Sequence, residues 1–232
     1  KKPLLSYFEH NKLEHGPLIV ARLQAGETCA LVSDAGMPAI SDPGETLVAA
    51  CAQAGIPVYV VPGPTAALSA LVLSGLPTGR FTFEGFLSVN KRGRKEHLEA
   101  VRGETRTMIF YEAPHKLRKT LSDFSKVFGP DRKIALCREL TKLHEEVWRT
   151  TVGEAAAHYR EQEPRGEFVL VVAGGETPAA PQQGYTLEEA AALARELAAA
   201  GLSSSEAARQ AAQETGYRKS QLYTALLESQ SP

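Results

Sequence analysis

The chain is short of cysteine. Cys29, Cys51 and Cys137 are all it has in 232 residues, and no two of them form a Cys-x-x-Cys pair. A sparse, odd set argues against a disulfide framework and for reduced thiols in a cytoplasmic compartment. Histidine is also thin. His10, His15, His97, His115, His144 and His158 stand apart, none at ligand spacing to another His or Cys, so no structural metal is expected. No signal peptide opens the chain. No charge occurs from Thr46 to Gly79, but Pro57, Pro62, Gly63 and Pro64 break that stretch. A spanning helix needs about 20 consecutive apolar residues, so buried strands and helices are expected there instead of a membrane span.

What is present is an ordinary globular composition, 43% hydrophobic and 23% charged. The net charge of −1 hides an asymmetry. From Arg80 to Lys142 there are 15 Lys and Arg against 8 Asp and Glu, which leaves 11 against 19 elsewhere. A surface facing a polyanion would give this, and so would a solvated set of lysine-rich helix faces.

Apolar runs alternate with helical patterns. Strands are predicted at Thr28–Ser33 and Val58–Val61, with helices at Glu45–Ala54 and Pro64–Ser74 that stop at Gly55 and Gly75. Strand, helix, strand, helix with short joints predicts a parallel α/β sheet. After Arg80–Phe86 a basic loop is predicted, carrying Lys91, Arg92, Arg94 and Lys95. A second α/β run follows: strands at Thr107–Tyr111, Lys133–Arg138, Glu146–Thr151 and Phe168–Ala173, helices at Pro114–Phe128 and Gly153–Glu161. The expected organisation is an α/β domain over residues 1–79, a second over 80–175, a linker at 176–184, and a helical module over 185–232. That module, with helices at Leu187–Ala199, Ser204–Thr215 and Arg218–Ser229, resembles a helix-turn-helix. From Tyr185 to Ser229 it holds four basic and six acidic residues, a poor footprint for tight nucleic-acid binding.

Two segments carry chemistry. Residues 33–44, SDAGMPAISDPG, follow a predicted strand and pack two Gly, two Pro and two Asp into twelve positions. Ligands of open α/β sheets bind at that end of the strands, and small residues let the backbone approach them. Residues 62–67, PGPTAA, also follow a strand and open a helix, whose first turn offers backbone N–H groups to an anion.

Together these loops resemble the cofactor loops of the tetrapyrrole-methylase superfamily. Further segments resemble its ribosomal RNA small-subunit 2′-O-methyltransferase branch: FEGFL (Phe83–Leu87), RTMIFYEAPHKL (Arg106–Leu117), RELTKLHEE (Arg138–Glu146) and RGEFVLVVAG (Arg165–Gly174). The resemblance implies two α/β domains of the class III methyltransferase fold, plus the helical module. It implies S-adenosyl-L-methionine in the cleft between the domains, a homodimer, and 16S rRNA within the 30S subunit as substrate. The reaction implied is 2′-O-ribose methylation of a cytidine at the decoding region. The residues implied at the cofactor are Ser33, Asp34, Ala35, Gly36, Gly63, Thr65 and Ala66 from the first domain. The second contributes Tyr111, Glu112, Ala113, Gly166 and Glu167. Family members open with a strand and a loop that do not precede Lys1, so the first domain is expected to lack its opening strands.

Glu139 and Lys142, after a predicted strand, are the candidates for catalysis. Glu139 would accept the hydroxyl proton or orient the ribose, and Lys142 would stabilise the alkoxide; an ordinary ion pair at three-residue spacing is the alternative. Lys91, Arg92, Arg94 and Lys95 are the candidates for RNA contact. Two other functions are compatible with parts of this pattern. A methyltransferase acting on a porphyrinoid would share the fold and cofactor without needing the basic segment or the C-terminal helices. A regulator would use the helix-turn-helix as its working part.

Overall fold

The computed structural model describes residues 2–175 and 185–228, so the expected linker at 176–184 lies outside the described residues. The chain divides into two compact units, Lys1–Gly174 and Gly175–Pro232.

The first unit is organised by a five-stranded sheet of order β1-β2-β5-β3-β4. Its strands are β1 (Phe81–Phe86), β2 (Thr107–Glu112), β3 (Lys133–Arg138), β4 (Glu146–Thr151) and β5 (Phe168–Val172). β1 and β2 pair in parallel, whereas β5 runs antiparallel between β2 and β3, and β4 antiparallel to β3. The sheet is therefore mixed. The crossover from β2 to β3 keeps those two strands in one direction, and β5 fills the gap between them the other way.

Alternate residues of the central strands feed two cores, as the period of two in a pleated strand requires. Met108, Phe110, Ile134, Leu136, Leu170 and Val172 face helices α4 (Lys91–Ala100), α5 (Pro114–Phe128) and α6 (Val152–Glu161). Ile109, Ala135, Cys137, Val169 and Val171 face α3 (Ala66–Ser74), which meets them with Ala67, Ala70 and Leu71. Small residues on both sides of that second interface let α3 lie close to the sheet. At the other end of α3, Arg149 Nε donates to the Leu73 carbonyl at 3.0 Å.

Two expected elements take another form. Neither 28–33 nor 58–61 pairs with a strand among the described residues. A strand exists through its ladder, and here the apolar side chains stay exposed: Tyr59 is 88% and Val61 88% accessible. The basic segment is not a loop but opens α4, because Asn90 accepts from the N–H groups of Arg92 and Gly93 as an N-cap, and Arg94 and Leu98 share the buried face. Helix α1 (Lys12–Gln24) has no counterpart in the sequence pattern; its Ile19 packs with Leu47 and Cys51 of α2 (Glu45–Gln53). No helix among the described residues is long and apolar enough to cross a membrane.

The second unit holds α7 (Leu187–Ala199), α8 (Ser204–Thr215) and α9 (Lys219–Glu228) around an alanine-rich core with Leu222 and Leu226. Capping boxes at Thr186/Glu189 and Ser203/Glu206 start the first two helices. Gly216, at φ 75°, ends α8 in the left-handed region.

Among the described residues, the most strongly perturbed carboxylate lies in the turn entering β2. Glu104 accepts from the Arg106 guanidinium at 2.6 and 2.9 Å and from the Arg106 N–H at 2.8 Å, which brings its pKa down to about 2. A depressed carboxylate pKa stabilises the fold above its unfolded value, and that contribution is lost as pH falls toward the folded value. Glu104→Gln should therefore destabilise the protein in urea at pH 6, by an amount that shrinks at pH 3. A difference that stays constant between the two pH values would contradict this account.

Candidate active site

A cavity of about 470 Å³ opens where β1, β2 and β3 end and β5 begins, within the size range of pockets for small ligands. Its wall is drawn from the 34–42 loop, the start of α3, the β2–α5 turn and the residues after β3. The sequence motifs point to Asp34, Ala35, Gly36, Thr65, Ala66, Tyr111, Glu112, Ala113 and Glu167, and all nine line it. Ser33, Gly63 and Gly166 do not line it. Ser33 Oγ instead points at the carbonyls of Ala35 and Gly36, at 3.2 and 3.1 Å, and holds the turn that presents them. Asp42, Ser41, Phe86 and Leu140 also line the cavity, beyond the residues expected from sequence. Ser41 and Asp42 lie inside the 33–44 motif, Phe86 inside the 83–87 segment and Leu140 inside the 138–146 segment, so the signal for each was the segment it belongs to.

Two loops meet at Gly36. The Met37 N–H donates to the Pro64 carbonyl at 3.0 Å, and a Cβ on Gly36 (φ +73°) would sit 2.9 Å from that oxygen. Glycine is required there on both counts. Among the described residues, four non-glycine residues have positive φ: Ala39, Ser41, Glu139 and Thr141. All four lie in the two loops that border the cavity. Such conformations cost of order 1–3 kcal/mol each and gather at functional sites.

Tyr111 joins sheet to helix. Its phenol oxygen accepts the Ala67 N–H at 3.1 Å, in the first turn of α3, while Phe83 and Phe86 meet its ring edge-on. Burial raises its pKa, with the Asp42 charge adding to the effect. The phenol therefore keeps its own proton, which the bond from Ala67 does not use. Cys137, also in the wall, is pushed up to about 11 by burial and remains a neutral thiol.

Among the described residues, the wall has Asp34, Asp42, Glu112 and Glu167 but no Lys, Arg or His. Such a lining favours a ligand bearing positive charge and disfavours a phosphorylated nucleotide. S-adenosylmethionine, whose sulfonium and ammonium outweigh its one carboxylate and whose adenosine is uncharged with a flat aromatic base, fits that chemistry. The apolar part would meet Phe86, Tyr111 and Phe168. Among the described residues no cluster of His, Cys, Asp and Glu could hold a metal ion.

Glu139 and Lys142 stand outside the wall. Glu139 Oε1 accepts the Glu167 N–H at 2.9 Å and Lys142 Nζ at 3.1 Å, and the Glu139 N–H donates to the Glu167 carbonyl at 3.0 Å. Lys142 Nζ also reaches Glu167 at 2.8 Å. The Glu167 N–H first, and Lys142 second, hold the Glu139 pKa below the usual carboxylate range. A carboxylate so engaged is a poor proton acceptor, but it fixes its neighbours Leu140 and Glu167, which do line the cavity. Gly166 accommodates the latch, because a Cβ there would lie 2.6 Å from Glu139 Cγ.

Arg94 requires a correction. The basic run marks it as an RNA contact, yet it is 6% exposed, facing α5, with its guanidinium on Asp123. Lys91, Arg92 and Lys95 are exposed on α4 as expected, Arg92 beside Glu96 at 2.8 Å. Helical spacing separates them: positions 91, 92 and 95 share the outer face, and 94 turns with Leu98 toward the core.

Residues 5–156 match the model of a family described as Tetrapyrrole (Corrin/Porphyrin) Methylases. A protein of Synechocystis sp. named ribosomal RNA small subunit methyltransferase I is 47% identical over 226 residues, covering 97% of this chain and 80% of its own length. A protein of the same name in Pseudomonas aeruginosa is 44% identical over 232 residues, 98% of this chain and 80% of its own. Among solved structures, uroporphyrin-III C-methyl transferase from Thermus thermophilus, complexed with S-adenyl homocysteine, superposes with a TM-score of 0.50. It is 20% identical and covers 72% of this chain and 75% of that one. That likeness shows the shared fold.

Two substitutions test the site. Gly36→Val should weaken S-adenosylmethionine binding at least tenfold in calorimetry, about 1.4 kcal/mol, with the fold retained by circular dichroism; unchanged affinity would remove Gly36 from the site. Glu139→Gln keeps an oxygen for the Glu167 N–H and should leave turnover within about threefold. A fall of 10²–10⁴, the usual contribution of a general base, at unchanged affinity would instead make Glu139 the proton acceptor.

Proposed function

The chain belongs to the tetrapyrrole methylase family, and we propose that it is an S-adenosylmethionine-dependent methyltransferase acting on the RNA of the small ribosomal subunit. One observation carries the substrate. The family match ends at residue 156, whereas the similarity to relatives named for ribosomal RNA extends over 97% of the chain and so into the second unit. A porphyrinoid methylase would need neither that unit nor the exposed basic face of α4. The resemblance of the 106–117 and 138–146 segments directs the reading further, to a ribose 2′-hydroxyl of a cytidine in 16S rRNA within the 30S subunit, and to a homodimer.

Bound S-adenosylmethionine supplies a methyl group on a positively charged sulfur. The residues of this chain hold the reactants. Asp34 and Asp42 offset positive charge in the cavity, Gly36 lets the 34–42 loop close on the Pro64 carbonyl at the start of α3, and Tyr111 fixes the first turn of that helix. Glu139 and Lys142 are positioning residues, acting through Leu140 and Glu167. In-line displacement at a methyl group asks chiefly for alignment, and positioning can lower such a barrier by roughly 7–11 kcal/mol. Lys91, Arg92 and Lys95 supply phosphate contacts that orient the RNA.

Full-length protein incubated with a methyl-labelled donor and either 30S subunits or a tetrapyrrole should label the RNA alone. Label in the tetrapyrrole and none in RNA would overturn the substrate. Replacing Lys91, Arg92 and Lys95 together by Ala should weaken RNA binding and flatten its salt dependence. The log–log slope should fall by about 0.7 for each single-strand phosphate that is no longer neutralised. An unaltered slope would show that these charges serve solubility alone.

A further inference from the structure

A chain of buried polar groups runs from α4 to the cavity wall. Arg94 Nε donates to Asp123 Oδ2 at 2.7 Å, and its Nη2 donates to Thr120 Oγ1 at 2.8 Å. Both acceptors stand on α5. A guanidinium can only donate, so the Thr120 oxygen is the acceptor in that bond and its own proton is turned away from Arg94. That proton goes to Glu112 Oε2. Glu112, 4% exposed, uses its other oxygen to accept the Ala113 N–H at 2.9 Å. Ala113 and Pro114 are part of the cavity wall.

The charges explain why each member is needed. Among the described residues Glu112 makes no direct ion pair, and a buried carboxylate without a compensating cation is costly. Its cation is Arg94, one hydroxyl away. Lys119 pairs with Asp123 at 2.9 Å, so the group holds two cations and two carboxylates. The donor-only guanidinium sets the bonds from Arg94 through Thr120 to Glu112 in one direction, and the Ala113 N–H donates into Glu112 from the other side. A network satisfied in this way rigidifies what it touches, and its far end is the turn that forms one wall of the cavity.

We infer that Arg94 is a positioning residue for cofactor binding, acting through Thr120 and Glu112 to hold the Ala113–Pro114 wall. The inference rests on the reading of the cavity as the S-adenosylmethionine site. It assigns to the basic segment two separate tasks, with Lys91, Arg92 and Lys95 facing out and Arg94 facing α5, tied to the ligand wall through Thr120 and Glu112.

Thr120 gives the cleanest test, because Val matches its shape and lacks the hydroxyl, whereas Ser keeps it. In the full-length protein, Thr120→Val should weaken S-adenosylhomocysteine binding about tenfold, the scale of one hydrogen bond to a charged group. It should raise the KM for the methyl donor to match, with kcat within about twofold. Thr120→Ser should restore both to within about twofold of the parent. Arg94→Met should behave like Thr120→Val, and the double variant should be no weaker than the worse single one, since one relay can be cut only once. If Thr120→Val lowers unfolding stability and leaves affinity and KM unchanged, the network is structural only and the inference fails. A fall in kcat at constant KM would also overturn it. If Arg94→Met does not fold, the Thr120 pair decides alone. If the parent binds neither S-adenosylmethionine nor S-adenosylhomocysteine, the cavity reading fails first and takes this inference with it.

Discussion

The pleat of β2 sends Tyr111 to one face of the sheet and Glu112 to the other, and both walls of the cavity hang from that alternation. On the α3 side the Tyr111 phenol accepts the Ala67 N–H and seats the helix whose first residues line the site. On the α5 side Glu112 ties the following turn to Thr120 and, through it, to Arg94. Adjacent residues of one strand must point opposite ways. The two sides of the ligand wall are therefore set in register with the two cores, which β2, β3 and β5 build from the same alternation. A slip of one residue in β2 would exchange Tyr111 and Glu112 and break both attachments at once.

What this frame presents is electrostatically one-sided. The wall offers carboxylates and aromatic surface and, among the described residues, no cation, whereas the exposed side of α4 offers cations at positions 91, 92 and 95. On the function proposed above, a cationic cofactor and an anionic substrate would meet different surfaces of one protein. Strained backbone borders the cavity, in the 39–41 and 139–141 segments. The latch of Glu139 on Glu167 and the Met37–Pro64 hydrogen bond are the contacts that hold it.

Much of this was legible because the relevant signals are local. The bounds of α5, β3, β4, α7 and α8 follow from proline, glycine and capping residues beside strongly periodic segments. The cavity residues at 34–36, 65–66, 111–113 and 167 were legible through their motifs. What was not legible depends on neighbours distant in sequence. Apolar runs at 28–33 and 58–61 have strand composition, but composition supplies no ladder partner. The antiparallel course of β5 is set by its insertion between β2 and β3, which no local pattern encodes. The clustered charges of 91–95 concealed a helix, and with it the difference between Arg94 and its neighbours, because one inward position in a basic run shows only against the helical period. That Glu139 accepts the Glu167 N–H was not legible either, because only the fold brings the start of β5 near it.

The central claim is that one cavity, walled by α3 and the β2–α5 turn together, holds the cofactor. Hydrogen exchange of the full-length protein, with and without S-adenosylhomocysteine, tests it directly, since amide protection reports local opening of each wall separately. The account predicts added protection in peptides covering residues 34–42, 64–68 and 111–114 alike. Protection confined to one wall, or appearing only in the helices of the second unit, would contradict it.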